Sequence, residues 1–325
     1  MPFAQRIRLA AAPLGRGPST LRSNGHRRSL CSALDAFSNA MQRGLGLSDR
    51  LAQDEEAACS ALGEHGWCAL DGILEKEAAA RIRAEMSSMY RDGQYQLSYS
   101  HVVETGEKLW RPNVWMRELD GDSWRAAPTL VIFLSELMRE LPDVVNRGFR
   151  ASEALRAEHQ PPMISSSIFG HKLAVSTAGG ARYPKHLDNV SGGADKRKLT
   201  AIYYPNGGWD VATQGGGIRL YDSLEDPTSV DVAPAGDAAA ATSGGGGDRL
   251  LLFWSDLIVH EVLPMRVGCG GGGGAGDDDE PRQLDEAEHR HTFTVWLTTE
   301  NDASLCDPRS PLYRLRTAHY PDKEE

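Results

Sequence analysis

Two spacings of apolar residues divide the chain. Across residues 75–90, apolar or small side chains recur at Ala78, Ile82, Met86 and Met89, with acidic residues at the start and Asp92-Gly93 at the end. That pattern predicts an amphipathic helix. A second helix is predicted over 130–141 and a shorter one over 55–62, ended by Gly63. Because an apolar helix face must be covered, the two longer helices are expected to support the outside of a sheet. From about residue 165 the pattern changes to short strands. Ile168-Phe169 and Lys172-Leu173-Ala174-Val175 read as strands, as does Trp67-Cys68-Ala69-Leu70 earlier, and the apolar run around Leu250 to Trp254 reads as a buried strand. Residues 289–297 alternate with period two. Arg290, Thr292, Thr294 and Trp296 fall on one face, and His291, Phe293, Val295 and Leu297 on the other. Short strands between Gly-rich turns predict a mostly β fold with supporting α-helices. An antiparallel sandwich or barrel fits this spacing, and so does a double-stranded β-helix, or jelly roll.

The chemistry centres on Tyr183-Pro184-Lys185-His186-Leu187-Asp188-Asn189. Residues two apart on an extended segment point to one face, so His186 and Asp188 can supply two ligands to one metal. A lone His-x-Asp is common in ordinary strands. Here a second histidine, His260, follows the apolar run, and Arg290 heads the alternating strand. Two His and one Asp make up the facial triad that holds non-haem Fe(II) with sites left open. A guanidinium fork beside it suits a dicarboxylate.

From about residue 170 to 299 the chain resembles the prolyl 4-hydroxylase branch of the 2-oxoglutarate- and Fe(II)-dependent dioxygenases, and most of all its oxygen-sensing, hypoxia-inducible-factor type. Five blocks carry the resemblance: His186-Leu187-Asp188-Asn189; Ala201-Ile202-Tyr203-Tyr204-Pro205-Asn206 with Trp209; Gly216-Gly217-Ile218-Arg219-Leu220-Tyr221; residues 248–262; and residues 290–296. The resemblance implies Fe(II) on His186, Asp188 and His260, and Arg290 on the distal carboxylate of 2-oxoglutarate, with Tyr204 and Thr294 lining that pocket. It also implies O2 as co-substrate, ascorbate as reductant, and hydroxylation at C4 of a prolyl residue in a protein or peptide. One position departs from the pattern, since Ser176 stands where animal members have a Tyr that contacts the co-substrate. Substrate contacts are expected from Tyr183, Arg197 and Trp296. Each has a plainer alternative: Arg197 in a solvated charge cluster, and the two aromatics as packing. Two other readings remain open, a related oxygenase acting on another residue or a small molecule, and a catalytically weak metabolite or oxygen sensor.

Composition frames these motifs. The chain has 325 residues and a net charge of −10, which argues against a general nucleic-acid binder, and no apolar run is long enough for a membrane span. Residues 1–50 differ from the rest, with eight Arg, no Lys and only Asp35 and Asp49 as acids. This stretch reads as a basic leader, either disordered or an organelle transit peptide. Residues 51–164 are expected to form a helical support region. Within it, Leu109-Trp110-Arg111-Pro112-Asn113-Val114-Trp115-Met116-Arg117 is the candidate substrate-lid hairpin; the alternative is an edge strand with Pro112 at its start or at a bulge. The jelly roll spans 165–300, interrupted by low-complexity loops at 233–247 and 266–288, and 301–325 form a C-terminal tail. Five cysteines without a CxxC spacing point to an intracellular, reducing compartment: cytoplasm, nucleus, or an organelle if the leader targets one. Oligomeric state is not legible.

Overall fold

The computed structural model describes residues 23–101, 108–236, 247–266 and 284–321. Its strands are β1 (Trp67–Asp71), β2 (Gln96–His101), β3 (Lys108–Arg117), β4 (Ile164–Ser176), β5 (Tyr183–His186), β6 (Arg197–Tyr204), β7 (Ile218–Tyr221), β8 (Val230–Val232), β9 (Arg249–Trp254), β10 (Val259–Val262) and β11 (Arg290–Thr299). The helices are α1 (Ser23–Arg43), α2 (Leu47–Gln53), α3 (Glu55–Glu64), α4 (Lys76–Arg91), α5 (Pro128–Ala151), α6 (Glu153–Glu158), α7 (Val211–Gln214) and α8 (Tyr313–His319). All strand pairing is antiparallel, in a seven-stranded sheet ordered β1-β9-β6-β11-β4-β3-β2 and a four-stranded sheet ordered β5-β10-β7-β8. Two such sheets, backed by helices, make the jelly roll that the short strands predict.

One face of the large sheet is closed by helices. Ala78, Ile82, Met86 and Met89 of α4 are all buried, and Phe133 of α5 packs on Tyr203 and Phe293, with ring centroids 4.5 Å and 6.3 Å apart. The Glu85 carboxylate on α4 accepts from the Thr129 and Leu130 amides, at 3.0 and 2.9 Å, and so caps the first turn of α5. α5 runs well past residue 141 and continues through Pro142, because its apolar stripe extends to Val144, Val145 and Phe149 against the core.

Several expectations are corrected. The two strands expected at 168–175 are one 13-residue strand, β4, with irregular pairing near its start. The stretch read as a leader is helical from Ser23, with Phe37 buried against Trp124 and Leu47 and Leu51 fully enclosed, so apolar side chains there belong to the core. Residues 1–22 lie outside the described residues. The C-terminal stretch is not a free tail either, since Leu312, Leu315 and Arg316 are buried and α8 packs near β10. Most of both low-complexity loops, at 237–246 and 267–283, lies outside the described residues. In the hairpin, β3 is not at the sheet edge; β2 is, and Pro112 falls in the register shift between them. No helix among the described residues is long and apolar enough to cross a membrane.

Candidate active site

The apolar run 249–262 folds into two strands on different sheets, β9 within the large sheet and β10 within the small one. The turn between them carries His260 into β10, where it pairs directly with His186 at the end of β5, the rings 4.2 Å apart. Asp188 lies two residues beyond β5 rather than on it. Asn189 holds that turn: its amide donates to the Ser255 carbonyl at 2.9 Å, and its Nδ2 donates to the carbonyls of Asp195 and Arg197 at 2.7 and 2.9 Å.

The imidazoles are oriented by backbone. His186 Nδ1 lies 2.8 Å from the Pro184 carbonyl and His260 Nδ1 3.1 Å from the Ile258 carbonyl. A carbonyl only accepts, so both Nδ1 atoms carry the proton and both Nε2 lone pairs are free to bind metal. Asp188 Oδ1 is 3.6 Å from His186 Nε2 and 3.9 Å from His260 Nε2, and ligand atoms of the three residues lie within 4.8 Å of one another. This donor set fits one divalent metal of the facial-triad class, and it is the one such cluster found among the described residues. Oδ2 of Asp188 is otherwise engaged. It accepts from Thr200 Oγ1 at 2.7 Å and Trp296 Nε1 at 2.9 Å. With the Thr200 proton so committed, the Ser255 hydroxyl 2.7 Å away is its donor. Burial alone would raise the Asp188 pKa, but the two imidazoles, when doubly protonated, and the Thr200 hydroxyl outweigh it and hold the carboxyl well below its usual range. Burial and the neighbouring His186 push His260 down to about 4, which keeps the ring neutral and ligand-ready.

Below the triad, the cleft is lined by the face of β11 that the alternation picked out: Arg290, Thr292, Thr294 and Trp296. Tyr204, Ser176 and Tyr183 line it as well, each from a position named in the sequence. Arg290 is buried, its Cζ 5.2 Å from the centre of the Tyr204 ring, and burial depresses its pKa. Among the described residues, neither Arg290 Nε nor the Tyr204 hydroxyl meets hydrogen-bond geometry with a partner, although the two groups face each other. Gly216, at φ +70°, makes room for the arginine, since a Cβ there would meet Arg290 Cδ at 3.0 Å. Buried, unpartnered donors around an open space suit an anionic ligand carboxylate. Ser176 is buried and stands opposite Arg290 in the β4–β11 register.

Arg197 is not on the cleft wall. Its Nε donates to Asp195 at 2.9 Å and its guanidinium lies over Phe169, because an acid two residues upstream claims the charge. The cluster around it is not a solvated turn either, since Lys198 is buried and paired with Asp256 at 3.0 Å. Sequence reasoning passed over Thr200 and Ser255, and over Lys172 and Ser98, which line the cleft, and it named Arg111, which stacks on Tyr183, only as part of the candidate lid hairpin; Lys172 shares its strand face with Ser176 by period two.

Fold and site together define a class. Residues 172–298 match the family model of the 2OG-Fe(II) oxygenase superfamily. Within that class its relatives are prolyl hydroxylases of the hypoxia-inducible-factor type. A hypoxia-inducible factor prolyl hydroxylase of Caenorhabditis elegans is 28% identical over 280 residues, 81% of this chain and 35% of the relative. Egl nine homolog 1 of Homo sapiens is 26% identical over 211 residues, 62% of this chain and 42% of the relative. The chain thus spans under half the length of either relative. Among solved structures, a prolyl hydroxylase of Trichoplax adhaerens, in complex with a hypoxia inducible factor oxygen degradation domain peptide fragment, superposes with a TM-score of 0.54 at 21% identity. It covers 77% of this chain and 93% of its own. A prolyl 4-hydroxylase of Phytophthora capsici superposes with a TM-score of 0.51 at 21% identity, covering 81% and 67%. At these identities the solved structures establish the fold.

Proposed function

We propose that this chain is a 2-oxoglutarate- and Fe(II)-dependent prolyl 4-hydroxylase acting on a protein or peptide. The observation that carries the reading is one cleft holding both a two-His, one-carboxylate set and a buried arginine with an unpartnered Nε. His186 and His260 bind iron through Nε2 and Asp188 through Oδ1, while Arg290, Tyr204, Thr294 and Ser176 receive 2-oxoglutarate. When bound, the iron activates O2 at the expense of 2-oxoglutarate, which leaves as succinate and CO2 as one oxygen atom enters the substrate at proline C4. Ascorbate keeps the metal ferrous.

The protein's own part is orientation and exclusion of water. Thr200 and Trp296 occupy Oδ2 of Asp188, which leaves Oδ1 to bind metal. Arg290 is already desolvated, so a carboxylate that reaches it gains a charge-assisted pair with no competing water. Ser176 supports a second reading: a shorter side chain in the co-substrate pocket loosens 2-oxoglutarate and favours a metabolite-responsive sensor over a fast enzyme.

The test is succinate formation by the chain from Ser23 onward with Fe(II), 2-oxoglutarate and ascorbate, with and without proline-containing peptides. Peptide-stimulated turnover lost in His186→Ala and Arg290→Ala, with one oxygen gained on proline by mass spectrometry, is the expected result. Tight 2-oxoglutarate binding without turnover on any peptide favours the sensor, and absence of metal binding overturns the triad.

A further inference from the structure

The mouth of the cleft carries more positive charge than iron and 2-oxoglutarate require. Three cations surround it: Arg111 from β3, Lys172 from β4, and Arg182 just before β5. Arg111 stacks on Tyr183 with its Cζ 3.4 Å from the ring centre. Lys172 Nζ lies 5.4 Å from the same ring and 5.5 Å from that of Trp296. Lys172 is half-buried, Arg182 is exposed, and both line the cleft. None of the three has a carboxylate partner among the described residues. Cations elsewhere on the same sheets are neutralised: Arg219 by Asp231 at 2.7 Å, Lys198 by Asp256, Arg197 by Asp195. Glu261 accepts from Tyr221 and faces Arg219. Asp188, the acid on the cleft wall, belongs to the triad.

Lys172 does not serve the co-substrate end. Arg290 pairs with Ser176 in register, whereas Lys172 pairs with Thr294, four residues further along β11. That separation is about 13 Å along the strand. Burial, then Arg111, lowers its pKa to about 8, so the ammonium sits at a cost that an incoming anion offsets. Three cations with no carboxylate partner among the described residues, gathered around one opening, mark a recognition surface.

We propose that the mouth selects an anionic substrate segment, a peptide with Asp or Glu close to the target residue, held by Lys172, Arg182 and Arg111 around the entrance. This rests on the oxygenase reading of the same cleft and adds the substrate's chemical class.

The experiment measures fluorescence anisotropy of labelled peptides with a central proline flanked by Glu or by Gln, against the chain loaded with Mn(II) and 2-oxoglutarate. The Glu peptide binds about tenfold tighter at low salt, the size expected of a charge-assisted hydrogen bond made on binding. The ratio approaches one in Lys172→Met and narrows in Arg111→Gln, which serves if the first variant does not fold. Equal binding of the two peptides in the wild type, or a ratio that survives both substitutions, overturns the proposal. A Glu peptide with Ala in place of Pro separates this inference from the catalytic reading. If it binds as tightly and no proline peptide is hydroxylated, prolyl hydroxylation fails and anionic recognition stands. If proline peptides are hydroxylated whatever their charge, the reverse holds.

Discussion

Asp188 uses its two oxygens for different work, and that division rests on side chains remote in sequence. Oδ2 is saturated by Thr200 and Trp296, so rotation of the carboxylate would break two hydrogen bonds before Oδ1 left the histidines. Trp296→Phe keeps the ring and removes one donor. Fe(II) affinity is expected to fall about ten- to a hundredfold, the usual range for an outer-shell partner, as read by metal titration. A second test concerns Gly216, whose left-handed backbone strains any other residue and whose added methyl group would press on the Arg290 side chain at 3.0 Å. Gly216→Ala is expected to weaken 2-oxoglutarate binding at least about tenfold by displacing the guanidinium, while metal affinity holds. The candidate triad and Arg290 were legible because His186-x-Asp188, His260 after the apolar run and Arg290 at the head of the alternating strand occur together. Thr200, Ser255 and Lys172 were not. Hydroxyls are common in strands and turns and a strand lysine reads as solvated, so their meaning appears only when β6, β4 and the turn after β9 are brought against Asp188 and its cleft.

The elements that hold the site are joined by buried polar links as much as by apolar packing. Lys198 on β6 is paired with Asp256 in the turn before β10, and also donates to the Ser304 carbonyl at 2.7 Å, tying the sheet to the C-terminal segment. Lys198→Met leaves Asp256 buried without its cation and is expected to cost about 3–5 kcal/mol in urea unfolding. At the other end of the chain, the Glu136 carboxylate of α5 accepts from the Leu45 and Leu47 amides, at 2.6 and 3.3 Å, and seats α2 on the core. A chain begun at Asp49 loses buried Phe37 and Leu47. It is expected to be less stable than one begun at Ser23 by at least about 2–5 kcal/mol, the scale of a single large core deletion, measured in the same unfolding experiment. The sequence gives no warning of this, because the arginine-rich composition of residues 1–50 masks a short apolar stripe. Period-two alternation predicted β11 well, since both of its faces are covered by different chemistry. The limits of β4 were obscured by its half-exposed serine-rich start, where polar and apolar positions lose contrast.

Across the whole molecule, the buried titratable groups set how stability responds to acid. His159, His171, His289 and His291 are all buried, and burial lowers the pKa of each, that of His291 well below the ordinary histidine value. Their unfolded counterparts take up protons near pH 6.5. Below that pH the unfolded chain binds protons that the folded chain refuses, so stability falls as pH falls. Each such histidine contributes a slope of up to about 1.4 kcal/mol per pH unit until its folded pKa is reached. Two carboxyls act in the opposite sense. Burial pushes Asp248 up to about 6 and raises Glu85, so the folded state holds these protons more readily, and acid between about pH 6 and 4 returns part of the loss. Asp188, held low by the histidines, adds its own loss only below the normal aspartate range. Four histidines against two carboxyls leave a net fall that begins below pH 6.5 and is partly offset once Asp248 takes up its proton near pH 6. Thermal unfolding followed from pH 7 to 5 is expected to show a melting temperature that falls steadily below 6.5. His291→Gln removes the most enclosed of the four and is expected to make that decline shallower. A melting temperature that stays level to pH 5 would mean that these rings open to water or find carboxylate partners in solution, contrary to their enclosure behind α4 and α5.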